Sequence, residues 1–96
     1  MTAPGPGRIV QTRIAAIAEG LAEAAVDASK DAWVRCSAGN GWTPWRQISS
    51  GMIDIDIAPA SSGTAAALVV VTPAIPGAGR RVFALASDGS VTATSL

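Results

Sequence analysis

The sequence contains no histidine, no tyrosine, one cysteine and one phenylalanine, and only 15% of its 96 residues are charged. Without histidine, and with Cys36 alone, neither a structural zinc site nor a nucleophile activated by imidazole is available. A lone cysteine excludes an intrachain disulfide framework, and among apolar neighbours Cys36 reads as a small buried residue. Seven basic and seven acidic residues leave no net charge, so the electrostatic footprint of a nucleic-acid or anionic-lipid binder is missing. No apolar run approaches the roughly 18 residues of a membrane span, and the stretch from Met1 to Arg8 lacks the apolar core of a secretion signal. Neither nucleic acid nor membrane insertion is therefore expected, and localisation stays open. With no phosphate-binding glycine loop and no nucleophile–base pair, an enzyme is not expected either, nor a cofactor.

What is present is mostly small and apolar. Hydrophobic residues make up 49%, but 20 of the 96 residues are alanine, so burial per residue is modest. A chain of this length forms one domain and buries roughly 60–65% of its unfolded surface. So little charge suits a protein partly covered by partner chains.

A segment recurs within the chain. Ala32-Trp33-Val34-Arg35-Cys36-Ser37-Ala38-Gly39-Asn40-Gly41-Trp42 is echoed 49 residues on by Arg81-Val82-Phe83-Ala84-Leu85-Ala86-Ser87-Asp88-Gly89-Ser90-Val91. Each copy reads as a strand, a glycine turn and the start of another strand. Met52–Ile57 alternates strictly between apolar and polar up to Ile57, as a half-buried strand does. Ser61-Ser62-Gly63 reads as a turn, Thr64–Thr72 as a β-branched strand, Pro73–Gly79 as a loop, and Asp88-Gly89 as a hairpin turn. Gly20 aligns with Gly63 and Ile14 with Ile57 at an offset of 43, which assigns a six-residue insertion to the loop 73–79 of the second copy. Repeats of roughly 40–50 residues belong to propeller blades and other arrays.

Residues 9–29 admit two readings. Val10, Ile14, Ile17, Leu21 and Ala25 fall at helical spacing in an alanine-rich stretch, which favours a helix locally. The repeat instead splits the stretch at Glu19-Gly20 into two strands. The strand reading makes the fold all-β: a flexible arm over 1–8, a first four-stranded antiparallel blade over 9–50 and a second over 51–96. The helix reading gives α+β with an N-terminal helix 9–29. Two blades alone leave open faces and edges. Heterologous contacts that close a ring cover them, and three chains supply six blades, within the usual propeller range of about four to eight.

Candidate binding residues concentrate in one stretch. Trp33, Trp42 and Trp45 lie within 13 residues, with Arg35, Arg46 and Gln47 among them. Aromatic faces beside bidentate donors suit the C–H faces and hydroxyls of a sugar, or a peptide groove. The competing role for each tryptophan is structural mass between blades, and Trp45 beside Arg46 is the one expected to be exposed. Asp54 and Asp56 share a strand face and suggest a calcium ligand pair or an acid/base pair, although a third oxygen donor is lacking and a solvated face accounts for both. Arg80-Arg81 reads as an exposed hairpin end protecting a sheet edge, and the loop 73–79 as either a binding surface or an inert insertion.

Gly41-Trp42-Thr43-Pro44-Trp45-Arg46 resembles the G-W-x-x-W stretch of bacterial β-propeller repeats. Together with Val10-Gln11-Thr12 and Arg35-Cys36 followed by Gly39-x-Gly41-Trp42, it makes residues 9–96 similar to the small fucose-binding lectins of bacteria. The resemblance implies a two-blade chain that trimerises into a six-bladed ring. It also implies a sugar site built from a strand arginine, a carboxylate before the Arg-Cys pair and stacking tryptophans. In this sequence those positions hold Glu23, Val34 and, after the cysteine, Ser37, with Ala86 in the second copy. Trp42 keeps the family's residue after the turn, and Val91 replaces it in the second copy. The architecture is thus expected to transfer and the fucose site is not.

The expected function is non-catalytic recognition, as a glycan-binding, lectin-like β-propeller homotrimer that uses Trp33, Arg35, Trp42, Trp45, Arg46 and Gln47. The rival is a structural or adhesion component of a larger assembly, such as a phage tail or capsid protein. If a binding site exists, the first copy is expected to carry it.

Overall fold

The computed structural model describes residues 5–18, 20–38, 41–60 and 65–94. Among the described residues there is no helix, and two antiparallel sheets follow one another along the chain. The first contains β1 (Ile9–Ile17), β2 (Gly20–Asp27), β3 (Ala32–Ala38), β4 (Gly41–Trp42) and β5 (Arg46–Ser49). The second contains β6 (Met52–Pro59), β7 (Ala65–Pro73), β8 (Arg81–Ala86) and β9 (Val91–Thr94). Strands run in chain order across each sheet, except that β4 and β5 both pair with β3. They form one interrupted fourth strand, with Thr43–Trp45 looping out between the two pieces.

The helix weighed for 9–29 does not form. Ala22, Ala24 and Val26 alternate into the core at period two, while Val10 and Ile14, which would share its apolar stripe, are 61% and 57% exposed. Burial against a second sheet outweighs the helical preference of alanine. Of the arm expected over 1–8, residues 1–4 lie outside the described residues. Residues 5–8 are held: Ala28 N–H donates to the Arg8 carbonyl at 2.7 Å and Gly7 N–H to Asp27 Oδ2 at 3.1 Å. The turns read at Ser61-Ser62-Gly63 and Gly39-Asn40 also lie outside the described residues. Gly20, which opens β2, has φ +153°, and a Cβ there would strike the backbone oxygen of Ser37. Gly20→Ala is expected to cost about 2–3 kcal/mol, read as a lowered urea midpoint.

Both sheets begin with the same irregularity. A bulge falls between Ile9 and Gln11 in β1 and between Met52 and Asp54 in β6. The extra residues, Val10 and Ile53, are turned outward. The bulge corrects the strict alternation read from 52 to 57, because Met52 and Ile55, three apart, both enter the core while Ile53 is 56% exposed.

The shared bulge anchors a structural alignment of the two sheets. The row Ile14–Glu23–Arg35 corresponds to Ile57–Val69–Phe83, and Trp42 to Val91. The offset therefore grows from 43 through 46 and 48 to 49. The extra length is spread over three connections of the second sheet rather than gathered in one insertion at 73–79. It also pairs Arg35 with Phe83, where the sequence alignment had matched it to Ala84.

The sheets stack front to back. Call the front of each sheet the face carrying third-strand residues whose peptide groups turn toward the fourth strand; for L-residues that choice fixes the side-chain direction. In the first sheet Cys36 is such a residue, because Thr43 N–H donates to its carbonyl at 2.7 Å. Its side chain is fully buried with Ala22, Ala24, Val26 and Val34. In the second sheet Ala86 is such a residue, with its N–H on the Ser90 carbonyl at 2.9 Å, and alternation adds Ala84. There the core is made by the opposite face, with Ile55, Ala67, Val69, Val71 and Leu85. The front of sheet one thus covers the back of sheet two. The two remaining faces are of the same two kinds, and among the described residues no third sheet covers them; residues 5–7 lie only over the Trp33–Asp27 end of the back of sheet one.

Candidate functional site

Arg35 stands on the back of sheet one, in the row Ile14–Glu23–Arg35. Its Nε donates to Glu23 Oε1 at 2.7 Å, and Glu23 Oε2 accepts from the Thr12 hydroxyl at 3.1 Å. The guanidinium carbon lies 4.3 Å from the ring centroids of both Trp42 and Trp45. The two indoles therefore clamp one cation, a cation–π arrangement reinforced by the carboxylate at its edge.

Trp33 is 7% exposed and its Nε1–H donates to Asp27 Oδ2 at 3.0 Å. Asp27, itself 3% exposed, also accepts the N–H groups of Gly7, Ser29 and Asp31. Burial pushes its carboxyl pKa up, but the four hydrogen bonds outweigh that and hold it below the usual value. The β2–β3 turn forms around this carboxylate: Lys30 N–H donates to the Asp27 carbonyl at 2.9 Å, and Lys30 adopts φ +67°. One side chain thus ties together the turn, the Trp33 indole and the incoming chain at Gly7.

The Thr43–Trp45 detour brings the remaining candidates to the second sheet. Thr43 Oγ1 accepts Cys36 N–H at 3.0 Å, so the side chain stands in for a ladder partner. Thr43 also lies against Gly89 of the β8–β9 turn, where a Cβ would sit 3.0 Å from Thr43 Oγ1 at φ +91°. Close approach and backbone conformation both require glycine there. Arg46 reaches across to the same turn, Nε to the Gly89 carbonyl at 3.2 Å. Between detour and turn lies an open cleft of about 380 Å³. Trp33, Pro44 and Trp45 supply its apolar walls, and Thr43, Arg46, Gln47 and Asp88 its polar groups. The Asp88 carboxylate accepts the Ser90 hydroxyl at 2.7 Å and the Ser90 N–H at 2.8 Å. Those two bonds lower its pKa, and the charge of Arg46 adds to the effect.

Four of the six sequence candidates (Trp33, Trp45, Arg46 and Gln47) meet at this cleft. Arg35 and Trp42 lie on the back of sheet one and do not line the cleft; Trp33, on the same face of β3 as Arg35, and Trp45 connect them to it. Trp45, expected to be the exposed tryptophan, is half-buried, with Gly5 packed on its edge, while Trp42 is 40% exposed. Asp27, Glu23 and Asp88 were not singled out as site residues by the sequence. Asp88 was legible only as a turn residue, and the Asp27-x-Ser29 spacing of an Asx turn is the one local signal for Asp27.

Asp54 and Asp56 line a separate depression of about 180 Å³ with Thr72 and Arg80. Among the described residues no three His, Cys, Asp or Glu side chains gather as metal ligands, and no helix is long and apolar enough to cross a membrane. Compared with protein-family models, curated proteins and solved structures, the chain matches none.

Proposed function

We propose that this protein is a non-catalytic recognition module that binds glycans in the cleft between its two sheets. The observation that carries the reading is the convergence on one open cleft of an indole wall, Trp45, with a guanidinium, an amide and a carboxylate from Arg46, Gln47 and Asp88. A sugar ring presents an apolar C–H face and a rim of hydroxyls, and this set offers a partner for each. Recognition of this kind needs stacking and hydrogen bonds and no cofactor.

The working form in this reading is a self-associated ring of blades, most simply a homotrimer. Front-to-back stacking within the chain supports it, since the same contact between chains covers both open faces. Repetition of the cleft around a ring raises avidity without new contacts. The apolar open faces and the low charge also suit the rival role, a structural subunit buried in a larger assembly such as a phage tail or capsid.

Native mass and tryptophan emission separate the two. A recognition module is expected to purify as a soluble closed oligomer whose emission changes on addition of a saccharide that fits the cleft. A monomer near 9.6 kDa would defeat the ring. Silence of the emission toward every saccharide, with the protein retained on a particle, would favour the structural subunit.

A further inference from the structure

The contact between the two sheets includes one polar link at the open strand edges. Among the described residues β6 is paired on one side only, by β7. Its Ile55 N–H, turned to the free edge, donates to Gln11 Oε1 of β1 at 2.8 Å. Gln11 lies on the front of sheet one, the same face as Ala15, and Ile55 on the back of sheet two. The link is therefore front side chain to back edge.

β1 is the matching free edge of sheet one. Cys36 turns its peptide groups toward β4, so ladder alternation directs Arg35 to β2, Ala22 and Ala24 to β1, and Arg13 and Ala15 back to β2. Thr12 and Ile14 then face the open edge. In the alignment anchored on the shared bulge, Thr12 corresponds to Ile55, and Asp54 to Gln11. Asp54 is exposed, and its carboxylate makes no hydrogen bond or ion pair with any of the described residues. Exposed apolar residues stand on both faces, beside the Glu23–Arg35 pair on the back of sheet one and Asp56 and Thr72 on the front of sheet two. Ile14 and Leu21 on the back of sheet one are 57% and 39% exposed, and Leu68 on the front of sheet two is 37% exposed.

We propose that a second copy of this chain repeats the internal stacking, the front of its sheet two covering the back of sheet one, with its Asp54 carboxylate accepting the Thr12 N–H. A carboxylate on a backbone N–H is a charge-assisted bond, stronger than the amide bond it copies. The contact is head-to-tail: each copy offers Asp54 on one face and Thr12 on the other, so it propagates until it closes. It rests on the self-association proposed above and adds the residues that set the register between copies.

The test is native mass across a dilution series for the full chain, Asp54→Ala and Asp54→Gln. Asp54→Ala is expected to raise the dissociation constant between copies about 10- to 100-fold while leaving the circular dichroism of the dissociated chain unchanged. Asp54→Gln, which makes the position like Gln11, is expected to assemble within a few-fold of the native chain. Asp54→Ala assembling like the native chain, or Asp54→Gln dissociating like Asp54→Ala, overturns the assignment of Asp54. A native chain that is monomeric at every concentration instead overturns the self-association on which the assignment rests.

Discussion

Asp27→Ala is expected to lower the unfolding free energy by about 3–4 kcal/mol. For a domain of this size that corresponds to a fall in Tm of roughly 15–25 °C. Four donors lose their acceptor together: the N–H groups of Gly7, Ser29 and Asp31 and the Trp33 indole. Water reaches some of them once the turn loosens, so the loss is less than four separate hydrogen bonds to a charge. The side chain is almost fully enclosed, which keeps the effect well above that of a surface turn residue. Urea unfolding of the two proteins measures it, and a difference below about 1 kcal/mol would show that the carboxylate does not organise the turn.

The same carboxylate gives the fold an acid-sensitive component. Its pKa is held down in the folded chain, so its stabilisation is complete above the unfolded value of about 3.9 and is lost as pH falls through the lower folded value. The native chain is therefore expected to lose stability in that acid window more steeply than Asp27→Ala. Asp88, with its pKa also lowered, contributes in the same direction in both proteins.

Trp45→Ala is expected to weaken saccharide binding at least about 30-fold while the chain stays folded. Truncating an aromatic anchor at a binding site costs about 2 kcal/mol or more, which sets that ratio. Trp45 is a wall that the cleft shares with the back of sheet one, where its ring also covers Arg35. Trp42 makes the equivalent contact with Arg35 at the same 4.3 Å but does not line the cleft. Trp42→Ala is therefore expected to leave binding within a few-fold of the native protein. Titration calorimetry on the two variants separates the roles, and equal losses would move the site onto the back of sheet one.

The strands of the second half were legible because their residues satisfy local rules: alternation through Ile57, a β-branched run in β7, and Asp88-Gly89 at a hairpin. Residues 9–29 were ambiguous because alanine and glutamate favour helices in isolation, and only the repeat argued for strands. The bulges at Val10 and Ile53 carry no compositional mark, and a one-residue shift changes which face a side chain takes. That is why Ile53 was placed with Ile55, whereas Arg35 was matched with Ala84 because the fourth-strand offset of 49 was carried back onto third strands whose offset is 48. The tryptophan-rich stretch was legible as a candidate because its residues are neighbours in sequence. Asp88 arrives from 43 residues beyond Trp45, and Asp27 meets Gly7 20 residues before it. Neither pairing leaves a local signal, so the carboxylates of the cleft and of the turn emerge only from the folded chain.

Screening the native chain and Trp45→Ala side by side on a broad glycan array addresses the central claim most directly. The expected result is binding by the native chain to a coherent set of glycans, with those signals lost in Trp45→Ala. Absence of any signal for the native oligomer, or an identical pattern for the two proteins, would contradict glycan recognition in the Trp45 cleft.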